Sequence, residues 1–234
     1  MLIFLDLDTT GLEADDRICS IAIIDDEKAV LDELVNEGKK IPPLASSVHN
    51  ITNEMIRDKH PFKESKAYKY LQENNHKQNA LIVHNAKFHL EMLANAGVVW
   101  QGEVVDTLRV SKHLLQEYCE LFSLKVLRYE LKLYQNEKSE LEVLKVEQNQ
   151  ECRTTFTKAL DVKLLYNYLL DFASLEEMQE LSQKNVLLQK LEFGKYQGRY
   201  IEEIALSDRG YLEWMLMNVS DLDEDLKYSI HYYL

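Results

Sequence analysis

The stretch Phe4–Leu12, FLDLDTTGL, decides the fold class of this chain. It continues an apolar run that begins at Leu2, and such a run predicts a buried strand. Residues two apart on a strand point to the same face, so Asp6 and Asp8 bring two carboxylates together. Like charges this close repel unless a cation lies between them, and Mg²⁺ and Mn²⁺ prefer oxygen ligands. An isolated Asp-x-Asp pair is more often a plain strand end, but the full string is far more specific.

The runs that follow the first strand predict an α/β fold. Two β-rich runs, 17–25 and 28–36, favour an antiparallel meander with the first strand. The prolines at 42–43 predict a break in regular structure, and short apolar runs at 80–84 and 103–105 predict two later strands. Helical spacing of apolar residues covers five stretches: 64–74, 85–96, 108–115, 123–131 and 159–172. Strands that alternate with helices after a meander predict a mixed sheet. The polar stretch 135–153 is either a helix extension or a mobile excursion.

Composition limits the class of protein. The chain has 234 residues, with 27 Lys and Arg against 40 Asp and Glu, for a net charge of −13. Phosphate contacts normally need Lys and Arg, so charge alone favours a solvated acidic surface over a nucleic-acid surface. No apolar run approaches the roughly 18 residues needed to span a bilayer, and no signal peptide is predicted. Three widely spaced cysteines (Cys19, Cys119 and Cys152) predict no disulfide framework and favour a reducing cytoplasm.

A shift in composition divides the chain near residues 173–188. The last segment, 191–234, is rich in tyrosine and holds three of the seven glycines. We therefore predict a first domain over 1–173, a linker helix over about 174–187 and a second domain over 188–234.

Two motifs carry a resemblance to a known family. The opening string resembles the first motif of the DEDD exonuclease superfamily, D-x-E-T-T-G-L, with Asp8 in place of Glu. The stretch 83–93, VHNAKFHLEML, resembles the second motif, H-N-x-x-F-D-x-x-M-L, with His89 in place of the metal-binding Asp. Weaker similarities lie at 46–52, 105–109 and 122–127. The chain thus resembles the DnaQ-like 3′–5′ exonucleases over residues 2–172.

The third motif of that family, H-x-A-x-x-D, is altered. Aligned on Ala159 without a gap, Thr157 replaces the His and Val162 replaces the Asp. With a one-residue deletion, Asp161 becomes the metal ligand, and this is the alignment that we favour over a helix-surface Asp. In either alignment the histidine general base is missing, and such a base contributes about 10²–10⁴ in rate.

The resemblance implies a ribonuclease H-like fold, in which helices flank a mixed five-stranded sheet, and a site that binds divalent metal ions. Asp6, Asp8 and Asp161 are its catalytic residues and, with His89, its metal ligands. Two Mg²⁺ or Mn²⁺ ions would bind the scissile phosphate. The second ion would be held weakly, because neutral imidazole brings no negative charge and suits Mn²⁺, Zn²⁺ or Co²⁺ better. The resemblance also implies a set of nucleic-acid contacts: Thr9, Thr10, Gly11, Leu12, His49, Asn85 and Phe88. His49 has the alternative interpretation of a surface histidine.

The last segment resembles the small C-terminal domain of exonuclease X-like proteins, which implies an α+β module. The stretch 192–204, EFGKYQGRYIEEI, predicts a hairpin, and a helix is expected from Asp208. Lys195, Tyr196 and Arg199 are candidate contacts for single-stranded nucleic acid. The alternative is that the tyrosines build a small core and the cations are solvated.

The sequence therefore predicts a metal-dependent 3′–5′ exonuclease that acts on single-stranded DNA 3′ ends, as in DNA repair. We expect it to be cytoplasmic and to have a replication or repair protein as a partner. Its activity is expected to be impaired or altered by His89 and Thr157. A non-catalytic descendant that binds nucleic acid or protein is the alternative function. A third hypothesis is hydrolysis of short oligonucleotides, which an acidic surface favours over long polyanions.

Overall fold

The computed structural model describes residues 1–26, 30–145, 154–220 and 222–234. Cys152, Asp221, the first residues of the predicted run 28–36 and the stretch 146–153 lie outside this described part. The chain divides into two compact units, Met1–Ser182 and Gln183–Leu234.

The first unit is built on a mixed sheet of five strands. They are β1 Leu2–Thr9, β2 Ile18–Asp25, β3 Val30–Leu34, β4 Ala80–Val83 and β5 Glu103–Asp106. Their order is β3-β2-β1-β4-β5. β2 runs antiparallel to β1 and β3, while β4 is parallel to β1 and to β5. The predicted meander and the predicted five-stranded mixed sheet are therefore confirmed.

Helices cover both faces of this sheet. In the part of the first unit that the structure describes they are α1 Pro43–His49, α2 Asn53–Ile56, α3 Lys66–Glu73, α4 Ala86–Asn95, α5 Thr107–Leu115, α6 Leu124–Glu130, α7 Glu137–Leu144, α8 Thr154–Leu169 and α9 Leu175–Gln183. Short 3₁₀ turns lie at Phe62–Glu64 and Leu133–Gln135.

The pleat of β1 assigns its residues to two separate cores. Phe4 packs in the core that includes α8, whereas Ile3 and Leu5 pack in the core that includes α3 and α4. Asp6 and Asp8 have the same parity as Phe4, so the pleat directs them toward α8. The position of the site thus follows from strand periodicity together with the docking of one helix.

Two predicted boundaries differ from the structure. The predicted break at the prolines is present at Pro42, which lies outside any helix or strand, but Pro43 already begins α1. Proline is tolerated at the first helical position, where its missing N–H would have no intrahelical partner. Helix α8 starts at Thr154, before the predicted 159, and this extension brings Thr155 and Lys158 onto the helix. Within the uncertain stretch 135–153, residues Glu137–Leu144 are helical.

The second unit is a small helical core with one β-bridge. Its described helices are α10 Ile201–Ser207, α11 Arg209–Asn218 and α12 Glu224–Tyr233. The hairpin predicted over 192–204 is wrong in extent, because pairing is reduced to one antiparallel bridge between Lys190 and Tyr200. Ile201 and Ile204 are three residues apart and both fully buried, so this stretch buries more apolar surface as a helix. No described helix of either unit is long and apolar enough to cross a membrane.

Candidate active site

Asp6 and Asp8 lie near the carboxyl end of β1, and both are buried. Two like charges in a buried position need compensation. A β-bulge in the pairing with β2 falls just after Asp8, and it turns the chain into the loop that follows the strand. The predicted convergence of these two side chains on one face is therefore present.

The ammonium of Lys158 supplies the compensating charge. Its Nζ lies 3.3 Å from Asp6 Oδ2 and 2.5 Å from Asp8 Oδ1. The Lys158 side chain is only 29% exposed, so solvent screens these pairs weakly. Burial opposes the charged form, but the carboxylates of Asp6 and Asp8 outweigh it and raise the pKa of Lys158. The lysine is therefore charged at neutral pH.

Thr155, one turn before Lys158 on α8, holds the second oxygen of Asp8. Its Oγ1 donates to Asp8 Oδ2 over 2.8 Å and lies 2.7 Å from Ser20 Oγ on β2. Both carboxylate oxygens of Asp8 are thus bound by residues of α8. Sequence reasoning missed Thr155 and Lys158. The available signal was the three-residue spacing from Thr155 to Lys158 and from Lys158 to Asp161, which makes successive members of the series neighbours on the helix surface.

Asp6 and His89 form the other side of the cluster. Burial, with a smaller contribution from Asp8, raises the pKa of Asp6 to about 7, although Lys158 acts in the opposite direction. Burial and the neighbouring Lys158 lower the pKa of His89 to about 3, so its imidazole is neutral. His89 Nε2 lies 3.6 Å from Asp6 Oδ1. The residue that replaces the family's Asp therefore adds no charge to the site.

Asp161, the fourth predicted ligand, has its own cation. The Arg128 guanidinium from α6 pairs with Asp161 and also with Glu137 from α7. Burial raises the pKa of Asp161 to about 6, although Arg128 opposes this shift. The side chains of Arg128 and Asp161 are both well buried. Asp161 is thus committed to a second ion cluster.

These residues do not fit a two-metal centre in the arrangement observed. The position between Asp6 and Asp8 holds an ammonium, Asp161 is paired with Arg128, and His89 is neutral. Among the described residues, no group of three or more His, Cys, Asp or Glu side chains is arranged to hold a metal ion. A hard divalent cation needs several free oxygen ligands, which internal cations here occupy.

The loop after β1 is braced from within. Thr10 Oγ1 donates to Asp16 Oδ1 over 2.6 Å, and Lys39 Nζ pairs with the same oxygen at 2.8 Å. A Cβ on Gly11 would lie 2.3 Å from Asp16 Oδ2, so a side chain here would displace the Asp16 carboxylate from its partners. Thr9 Oγ1 donates to the Gly11 carbonyl oxygen. The loop consequently presents Leu12, which is 80% exposed, on a fixed base.

The three other residues of this unit that were predicted to contact nucleic acid lie in different environments. His49 is buried, and its Nδ1 accepts a 3.1 Å hydrogen bond from the Ile51 N–H. The interpretation of His49 as a surface histidine is therefore wrong. Asn85 is exposed, and Phe88 is half-buried with its ring 5.4 Å from that of His89.

Asp106 positions α4, and with it His89, from the end of β5. Its carboxylate accepts hydrogen bonds from the N–H groups of Asn85 and Ala86, at 3.0 and 2.9 Å. It also caps α5 by accepting from the N–H groups of Leu108 and Arg109. One carboxylate thus satisfies the free N–H groups at two helix starts. The sequence indicated only a strand end here.

In the second unit, the predicted cations pack on aromatic rings. Lys195 Nζ lies 4.6 Å from the centroid of the Tyr196 ring and 3.1 Å from Asp208 Oδ2. Arg199 lies 5.4 Å from the same centroid and pairs with Glu203 at 3.6 Å. Tyr196 packs against the core while both cations stay at the surface, which is the arrangement that the alternative of a small tyrosine core expects.

The ring series continues beyond the predicted residues. Tyr211 lies edge-on to Tyr196 at 5.1 Å and stacks against Trp214 at 6.0 Å. Trp214 is 52% exposed. Sequence reasoning missed Tyr211 and Trp214 as parts of this surface. Their spacing of three residues on α11 was the available signal.

Comparison with known proteins identifies the family. A sequence model described as Exonuclease matches residues 3–140, and one described as Exodeoxyribonuclease X-like C-terminal matches residues 191–220. Exodeoxyribonuclease 10 of Escherichia coli strain K12 is 25% identical over 243 residues, covering 100% of this chain and 99% of that protein. An uncharacterized exonuclease, CP81, of Escherichia phage 186 is 44% identical over 55 residues, covering 23% of this chain and 28% of that protein.

Solved structures share the fold. Exonuclease X in complex with 5′ overhanging duplex DNA has a TM-score of 0.51 at 20% identity, covering 78% of this chain and 99% of that chain. E. coli exonuclease I in complex with a dA16 oligonucleotide has a TM-score of 0.54 at 16% identity, covering 76% of this chain and 42% of that chain. The first sequence model spans more than half of the 234 residues. The chain therefore belongs to the exonuclease family, with a C-terminal segment of the exodeoxyribonuclease X-like type.

Proposed function

We propose that this chain is a metal-dependent 3′–5′ exonuclease of DNA strand ends whose hydrolytic activity is low. The observation that carries the proposal is the pair of buried carboxylates at the end of β1, Asp6 and Asp8, within a fold shared with DNA-bound exonucleases. The low activity follows from Lys158, which pairs with both carboxylates and offsets one of their two negative charges. The catalytic role of Asp161 is part of the proposal and requires that its pairing with Arg128 open.

The nucleic-acid contacts belong to the same proposal. The exposed side chain of Leu12 stands on the braced loop Thr9–Leu12, and exposed Asn85 and half-buried Phe88 come from the start of α4. An apolar side chain held on a rigid loop can pack against a terminal base, and aromatic rings stack on bases. We propose that this unit takes a single-stranded 3′ end, with His49 supporting the loop from within.

The second unit supplies a second contact surface. Lys195, Tyr196 and Arg199 combine two cations with a ring, and Tyr211 and Trp214 extend the aromatic series. Such a surface suits bases of a single strand. We propose 1–173 and 188–234 as the functional domains, with a linker helix over about 174–187. Limited proteolysis that cuts between 174 and 187 and leaves both fragments folded is the test.

Location and partners complete the proposal. We propose a cytoplasmic protein, since Cys19 and Cys119 are free and buried rather than paired. A replication or repair protein would deliver the strand ends. Co-purification from cell extract before and after nuclease digestion tests this, because a partner lost on digestion is bridged by DNA.

The direct test of activity uses labelled single strands. Strands labelled at the 5′ end should shorten in steps from the 3′ end with Mn²⁺ or Mg²⁺ and stay intact with EDTA. A strand blocked by a 3′ phosphorothioate linkage is the matched control. No shortening above the EDTA sample, at enzyme in excess of strand, contradicts the proposal.

A non-catalytic function is the second candidate, and the ion pairs of Lys158 with Asp6 and Asp8 favour it. This protein would bind strand ends without cutting them. The double variant His89→Asp/Thr157→His restores the family's ligand and general base, and a general base contributes about 10²–10⁴ in rate. If only the variant cuts while both proteins bind the strand, the natural function is binding. If the unchanged protein already cuts at an ordinary rate, this second candidate fails.

A further inference from the structure

The Lys158 ammonium lies where a cation between Asp6 and Asp8 is required. It is within 3.3 Å of an oxygen of each carboxylate. The ammonium donates a hydrogen bond to Asp8 Oδ1 and forms an ion pair with Asp6 Oδ2 at 3.3 Å. The pair of aspartates therefore has a charged partner that belongs to the chain itself.

This placement is built into the packing of α8. Helix α8 packs in the core against β1, with Ala159 and Val162 fully buried around the site. Thr155, one turn earlier, holds Asp8 by a separate hydrogen bond. If the lysine left this position, the buried carboxylates of Asp6 and Asp8 would lose their cation, and an uncompensated buried charge is costly.

A second predicted metal ligand also pairs with a cationic side chain of the chain itself. Asp161 is buried and paired with the guanidinium of Arg128, which Glu137 also holds. The three acidic residues that the motifs select as ligands each have an internal cation. In both ion clusters a cationic side chain therefore takes the place beside the carboxylates that a metal ion would need.

We infer that Lys158 is the resident cation of the Asp6–Asp8 pair, so that this site is folded and charge-compensated without a divalent metal. A metal ion and the lysine compete for the same oxygens. Removing the lysine charge creates a metal-binding site. This inference goes beyond the proposed function and concerns the protein without DNA. The proposed metal-dependent activity additionally requires that Lys158 leave Asp6 and Asp8 when a strand is bound.

The test measures Mn²⁺ binding and thermal unfolding without DNA. In the unchanged protein, melting temperatures in EDTA and in millimolar Mn²⁺ should agree, and Mn²⁺ electron paramagnetic resonance should show the free ion. In Lys158→Met, the melting temperature in EDTA should fall, Mn²⁺ should restore it, and Mn²⁺ affinity should rise about tenfold or more.

Two variants control for loss of a lysine and for misfolding. Lys163→Met removes a half-buried lysine of the same helix that pairs with Glu140 at 2.8 Å, and it should gain no Mn²⁺ affinity. Lys158→Arg keeps the charge, so its melting temperature should not change with Mn²⁺. This variant tests the inference even if Lys158→Met is poorly folded. Tight Mn²⁺ binding by the unchanged protein, or by Lys158→Arg, overturns the inference. Equal Mn²⁺ affinities for folded Lys158→Met and Lys163→Met overturn it as well. Failure of the strand-shortening assay leaves it untouched.

Discussion

Thr155 Oγ1 donates a 2.8 Å hydrogen bond to Asp8 Oδ2, across 147 residues of chain. Together with Lys158 on the other oxygen, it leaves Asp8 fully engaged by α8. Helix α8 thus supplies one counter-ion, Lys158, and one hydrogen-bond donor, Thr155, to the aspartates of β1. The tertiary contact, rather than the acidic motif, decides how the site behaves at rest.

Asp6 should make the folded protein less stable as pH rises. Burial raises its pKa from 3.8 to about 7, so the folded state keeps a proton that the unfolded state has released. The cost is absent below pH 3.8, grows as the pH rises and is complete above about 7. The shift corresponds to at most about 4 kcal/mol.

The variant Asp6→Asn removes this cost and keeps the shape. We expect its advantage in the free energy of unfolding to be small at pH 4 and to reach about 2 kcal/mol near pH 7.5, since Lys158 also loses a partner. Urea unfolding in EDTA across this range measures it. If the stability gained by Asp6→Asn instead falls as the pH rises, the raised pKa of Asp6 is contradicted.

Arg128 should be a large contributor to stability. Arg128→Met leaves the buried carboxylate of Asp161 and the partly buried one of Glu137 without their cation. Loss of one partner from a buried ion cluster costs about 3–5 kcal/mol. Chemical denaturation should show this loss, and the double variant Arg128→Met/Asp161→Asn should recover part of it. Equal stability of the single and double variants would show that the two side chains are not coupled.

Gly11 should tolerate no side chain, whereas Gly210 should accept one. A Cβ on Gly11 would lie 2.3 Å from Asp16 Oδ2, but a Cβ on Gly210 in α11 meets nothing within 4 Å. Gly11→Ala should lower the melting temperature and weaken binding of a single strand. Gly210→Ala should raise stability by about 0.5 kcal/mol, because alanine favours a helix over glycine. Differential scanning fluorimetry separates the two, and a harmless Gly11→Ala would contradict the bracing of the loop by Asp16.

Trp214 should contribute to binding of single-stranded DNA. It is half-exposed and stacked on Tyr211 in a series that ends at Lys195 and Arg199. Stacking of one base on an aromatic ring contributes about 1–3 kcal/mol, so Trp214→Ala should weaken binding at least several-fold. Fluorescence anisotropy with a labelled oligothymidine measures this. Tyr232→Ala, an exposed ring on α12, is the control, and equal affinities for the two variants would exclude this surface.

The sequence determined the strand pattern, the family and the half of the site that lies on one strand. Period-two spacing places Asp6 and Asp8 on one face wherever β1 lies, so a local rule was sufficient. The sequence also showed that His89 and Thr157 replace the family's usual residues, because they lie inside motifs in which other positions match. The five strands were predicted because their β-rich apolar runs are short and bounded by polar or turn residues.

Only the tertiary structure decided that these carboxylates already have cations. The pairing of Lys158 with Asp8 joins residues 150 apart, and it depends on where α8 begins and how it docks on the sheet. No local pattern carries that information, since helix starts and long-range packing are set by the burial of the whole core. The same reason applies to Arg128 and Asp161, which come from two helices that meet only in the folded chain.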